Sequence, residues 1–123
     1  MMGKTLYLEE VRRFEGCEYG LQEFGHQEHL KVAWTYLHLY GYDAALARMR
    51  EGLLRFSAHY NRSGYNETIT VFWMRTLQAH CGEDPIEVLS KADKQLLFRH
   101  FSRERAMSEE AKQHWIEPDL MAL

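Results

Sequence analysis

From Gly25 to Tyr60 apolar residues recur at helical spacing, and the pattern breaks once, at Gly41. That break constrains the chain more than any other feature, because it writes two helices joined by almost nothing. His26, His29, Leu30, Ala33, Leu37 and Tyr40 fall within about a third of a helical circumference. The spacing therefore predicts a first main helix over Gly25–Tyr40, its apolar face carrying two histidines. Gly41 is suited to end it, since glycine closes a helix without steric cost. Asp43 is the expected N-cap of a second helix over Ala44–Tyr60, with the stripe Leu46, Met49, Leu53, Phe56 and Tyr60. So short a connection makes the pair an antiparallel hairpin.

Only Pro85 and Pro118 restrict the remainder. A short helix is expected over residues 4–14, with Leu6, Val11 and Phe14 as contacts, and a loop from Gly16 to about Glu23. Asn61-Arg62-Ser63-Gly64 reads as a turn into a third helix, from Tyr65 or Asn66 to about His80. Ile69, Val71, Phe72, Trp73, Met74 and Leu77 surround that helix on most sides, which predicts a central position. Asp84-Pro85-Ile86-Glu87 is a helix start: cap, proline at the first turn, and a glutamate to close a capping box. Short helices follow over Pro85–Lys91, Lys94–Phe101 and Ser108–Trp115, with Trp115 and Leu120 expected to fold back onto the core. No strand pattern or repeat is present. The expectation is one compact all-α domain over residues 1–123: an antiparallel hairpin, a central third helix and short C-terminal helices.

Charge and composition exclude several classes. At 46% hydrophobic and 27% charged residues the chain is globular, not disordered. A net charge of −3 and the absence of a basic cluster disfavour nucleic acid as a partner. No apolar run approaches the roughly 20 residues of a membrane span, and Met1-Met2-Gly3-Lys4-Thr5 lacks a signal-peptide core, so a cytoplasmic protein is expected. Cys17 and Cys81 lie far apart and are expected as reduced thiols.

The chemistry-bearing residues centre on His26 and His29. Side chains at i and i+3 are neighbours on a helix, so both rings can reach one ligand or one divalent metal ion. A buried imidazole needs a partner, and hydrogen bonds to backbone or carboxylate would serve equally well. Glu28 points away from the pair and suits the positive end of the helix. Glu23 gives a single Glu-x-x-His, where a di-iron bundle needs two, and the zinc-protease His-Glu-x-x-His is absent. Tyr65, Asn66 and Glu67 open the third helix. If the two helix starts converge, these residues and the histidines ring one polar pocket, with His26, His29 and Glu67 as catalytic candidates and Tyr65 and Asn66 as ligand contacts. Otherwise Asn66 is an N-cap and Glu67 a first-turn acid.

The aromatics recur at helical spacing and are mostly core. Trp34 and Trp73 are the candidates for lining a ligand cavity. His80 beside Cys81 does not make a base and nucleophile, because adjacent helical residues point about 100° apart. His38, His59, His80, His100 and His114 share no ligand spacing and read as surface residues. Arg99, Arg103 or Arg105 would hold an anionic group only if turned inward.

Phe24-x-His26-x-Glu28-His29-Leu30-x-x-Ala33-Trp34, Tyr65-Asn66-Glu67-Thr68-Ile69-Thr70, and Ser102-Arg103-Glu104 leading to Glu117-Pro118-Asp119-Leu120 together resemble the motifs of a family of small bacterial all-helical proteins of uncharacterised activity. The likeness spans most of the chain. Those relatives often carry histidine at the place of Asn66, so the resemblance implies three histidines at their pocket and two here. Asparagine is a poor transition-metal ligand, which weighs against a metal in this chain. Two functions follow from the residues: a small-molecule pocket, metal-assisted or enzymatic, organised by His26 and His29; or a non-catalytic interaction module, a homodimer joined by exposed aromatics and the C-terminal segment.

Overall fold

The computed structural model describes residues 5–123; Lys4, where the first helix was expected to begin, lies outside them, as does most of the stretch read for a leader. Eight helices and no strand occur among the described residues: α1 Leu8–Glu15, α2 His26–Tyr40, α3 Tyr42–His59, α4 Glu67–Ala79, α5 Pro85–Lys91, α6 Gln95–His100, α7 Arg103–Ala106 and α8 Glu109–Gln113. None is long and apolar enough to cross a membrane. Cys17 and Cys81 are free thiols.

The hairpin is α2 and α3, and it is tighter than its sequence pattern indicates. Gly41 ends α2 and also begins α3, at φ 80°, a backbone conformation that favours glycine. Asp43 therefore lies inside the first turn of α3 and is not its cap. Tyr40, placed on the apolar face by spacing, is 44% exposed. Burial in α2 runs instead through Val32, Ala33, Trp34, Thr35, Tyr36 and Leu37 without interruption, because α1, α3, α4 and α5 surround it. The central position is thus shared by α2 and α4. Thr35 is tolerated there because its hydroxyl donates to the Lys31 carbonyl at 2.8 Å and accepts the Tyr7 N–H at 2.9 Å.

The start of α4 ties the C-terminal third down. Asn66 caps the helix by accepting the Ile69 N–H at 2.9 Å, and its amide donates to the Ala106 carbonyl at 2.8 Å. Thr68, fully buried, donates to the His114 carbonyl at 2.8 Å and accepts the Ile116 N–H at 3.2 Å. Asp119 then accepts from both the N–H and the hydroxyl of Ser102. Ile116 is the residue this strap buries; Trp115 is only partly covered and Leu120 is 59% exposed. Pro85 opens α5 as expected, but Asp84 makes no side-chain cap bond and Glu87 pairs with Lys91.

One glycine inside a helix has a packing reason. A Cβ on Gly52 would lie 2.2 Å from Cε2 of Phe14, so the Phe14 ring rests directly on the α3 backbone. Phe14 stacks on Phe24 at 4.9 Å between centroids, and Phe24 meets the His29 ring edge-on at 6.0 Å. This file of rings runs from α3 to the start of α2.

Candidate functional site

The first turn of α2, the first turn of α4 and the C-terminal half of α3 border an open cleft of about 380 Å³. His26, His29, Tyr65 and Asn66 all line it, together with Phe24, Gly25, Leu53, Ser57, Gly64, Ile69, Thr70 and Lys94. The two helix starts therefore converge. The volume is within the range of small-molecule pockets.

The two imidazoles are held differently. His26 Nε2 donates to the Ala92 carbonyl at 2.6 Å. A carbonyl only accepts, so the proton of the neutral ring is on Nε2 and Nδ1 carries the bare lone pair. Trp73 packs edge-on against the ring at 4.8 Å, and Gln27 Nε2 donates to the Leu89 carbonyl at 3.1 Å, fixing α5 to the same turn. His26 is thus an oriented acceptor.

His29 has no hydrogen bond from either ring nitrogen among the described residues, and its Nε2 is sealed from solvent. Burial, reinforced by the neighbouring His26, pushes it down to about 4, so it is neutral at physiological pH. A buried orphan N–H is rarer than an under-satisfied acceptor. The favoured tautomer therefore places the proton on Nδ1 and leaves the sealed Nε2 bare. Both imidazoles line the cleft.

Glu67 is placed otherwise than with the histidines. Arg50 of α3 takes its carboxylate in a two-point contact, Nε to Oε1 at 2.9 Å, and the Tyr65 hydroxyl donates to the same oxygen. The Arg50 bonds hold Glu67 below the usual carboxylate range, while burial and the bond to Glu67 push Tyr65 up to about 12. Glu67 reaches the cleft only through Tyr65, as a fixed support. Asn66 lines the cleft, but both ends of its amide are committed to the fold. Trp34 lies in the core against His38 and does not line the cleft, and Trp73 stands behind His26.

For a metal ion the lining supplies two imidazoles, and among the described residues no three His, Cys, Asp or Glu side chains are grouped to hold one. Of the other histidines, His38 is half-buried, with Nδ1 against the Trp34 carbonyl and Nε2 against the Cys81 carbonyl. His80 contacts Glu83, away from the exposed Cys81 thiol. Arg103 lies over Phe98 and Arg105 donates to the Glu117 carbonyl, so neither faces the cleft.

Lys94 is a cleft residue that pattern reading passes over. It stands two residues after Ala92, whose carbonyl holds His26 from a position 66 residues away, and no spacing rule connects Ala92 with His26. No known protein-family model, curated protein or solved structure matches the chain.

Proposed function

We propose that the cleft between the starts of α2 and α4 binds a small organic molecule, with His26 and His29 as its recognising pair and His26 able to move a proton. The observation that carries this reading is the unpartnered His29. An unmade hydrogen bond at a buried polar group costs about 1–3 kcal/mol, and a leucine would avoid it. Residues retained against stability cluster at functional sites. His26 supports the same reading, since an imidazole fixed through one nitrogen with its other lone pair free has the arrangement of a general base. Behind the pair, Glu67 and Arg50 hold Tyr65 in place.

The test is a proton–nitrogen NMR titration of the protein with a panel of small polar molecules that combine hydrogen-bond donors and acceptors with an apolar body. Shifts should gather at residues 25–29 and 64–70, and both His26→Ala and His29→Leu should abolish them. Scattered shifts, or binding that survives both substitutions, would overturn the reading.

A further inference from the structure

We infer that the ligand of this cleft is an uncharged primary amide with an apolar body, its NH2 group received by Nδ1 of His26 and the hydroxyl oxygen of Tyr65; this deepens the binding reading above and rests on it. Both lining groups commit their one proton to the fold. His26 gives the Nε2 proton to the Ala92 carbonyl at 2.6 Å, and a neutral ring has no second. Tyr65 gives its hydroxyl proton to Oε1 of Glu67 at 2.5 Å. Arg50 grips that carboxylate at both oxygens and keeps it ionised, so it only accepts. The phenol keeps its proton, because burial and the same bond push it up to about 12. A lone pair is what each group has left to offer. Nδ1 of His26 has no partner and is open: among the described buried and half-buried residues, the sealed and unpartnered side-chain atom is Nε2 of His29. Tyr65 lines the cleft and Glu67 does not, so Arg50 and Glu67 act on a ligand by fixing where the phenol proton points.

The other polar groups of the lining follow the same rule. Thr70 donates to the Asn66 carbonyl, both ends of the Asn66 amide are bonded, and Glu28 takes the Gly25 N–H. Protons remain on the Ser57 hydroxyl, on exposed Lys94 and on Nδ1 of His29, and any of these suits a carbonyl oxygen. A ligand that only accepts would set its lone pairs against those of His26 and Tyr65, and a carboxylate would add its charge to that mismatch. A cation finds no carboxylate in the lining, since the one behind Tyr65 is already neutralised by Arg50. An uncharged NH2 group beside a carbonyl matches both sets. Phe24, Leu53 and Ile69 provide the apolar wall for the rest of the molecule.

Four probes of nearly one shape separate the chemistry: benzamide, acetophenone, benzoate and benzamidinium, titrated into the full chain by NMR at pH 7.5. Benzamide should bind at the cleft about tenfold tighter than acetophenone, which carries a methyl in place of the NH2 group, the effect of two net hydrogen bonds. Benzoate and benzamidinium should both bind more weakly than benzamide. Tyr65→Phe should cut the preference for benzamide over acetophenone to about threefold, by removing one acceptor. Damage to the fold would weaken both probes alike, so the ratio reads the hydrogen bond. In the unaltered protein, the nitrogen signal of Nδ1 of His26 should move with bound benzamide and stay in place with acetophenone. If acetophenone, benzoate or benzamidinium binds as tightly as benzamide, the amide inference fails and the cleft reading stands. A ratio unchanged in Tyr65→Phe, or a still Nδ1 under bound benzamide, also overturns the inference. So does silence from all four probes at the cleft, and the binding reading is then decided by its own panel.

Discussion

The starts of α2 and α4 face each other across one cleft, yet they are built on opposite principles. At α4 every polar group has been used. Asn66 caps and cross-links, Glu67 pairs with Arg50 and Tyr65, and Thr68 and Thr70 bond to backbone carbonyls. At α2 the cap is a glycine, one imidazole has a free lone pair and the other has no partner. Saturated hydrogen bonding makes a support; unsatisfied capacity at a fixed position is what a ligand can use. Polarity alone does not separate the two helix starts, but hydrogen-bond accounting does.

The comparison breaks most severely at Asn66. Replacing it with alanine removes an N-cap and strands the Ala106 carbonyl, an expected loss of about 3–4 kcal/mol in denaturant unfolding. A loss below about 1 kcal/mol would show that α4 is not the support described.

Acid separates the two starts along the pH axis. His29 is pushed down to about 4 in the folded protein, against about 6.5 in the unfolded chain. The unfolded chain therefore binds the proton more readily, and stability is lost as pH falls from about 6.5 towards 4, by about 3 kcal/mol in all. Glu67 is also lowered, but from the carboxylate range. Its contribution is present above about 4.5 and disappears at lower pH, as the folded carboxylate takes up its proton. Unfolding measured from pH 8 to 3 should fall in two stages: His29→Leu removes the upper one and Glu67→Gln reduces the lower, to which Glu9 and Asp119, also lowered, contribute. A single stage insensitive to His29→Leu would contradict the burial of that ring.

The smallest effect is the most informative about function. At pH 7.5, where His29 is neutral, His29→Leu should raise stability by about 1 kcal/mol, because an orphaned polar atom is replaced by a side chain needing no partner. The same substitution on the α4 side, Thr68→Val, should lower it by a similar amount. Equal signs would erase the contrast.

Periodicity reads the elements of this fold well. The hairpin, the Asn66 cap and the Pro85 helix are local events, determined by residues within a turn of one another. The co-facial histidines are legible for the same reason. What escapes is whatever a distant segment supplies. Arg50, 17 residues before Glu67 and on another helix, decides where that carboxylate points. The carbonyl that fixes the tautomer of His26 belongs to an alanine, which carries no side-chain signal. Tyr40 is exposed despite its place on the apolar stripe, because a helical wheel assumes a neighbour along the whole face and the face ends with the hairpin turn.

Phe14 and Gly52 share a single allotment of space, and that gives the chain a constraint no single position reveals. A methyl group at 52 must displace an aromatic ring that leans on Phe24 and, through it, on His29. Gly52→Ala alone should cost about 1–3 kcal/mol by overpacking. Combined with Phe14→Leu it should cost less than the sum of the two changes, a coupling that a double-mutant cycle reads directly. Among descendants of this sequence the two positions should drift together, one growing as the other shrinks, with the geometry of the imidazole pair preserved only along that line.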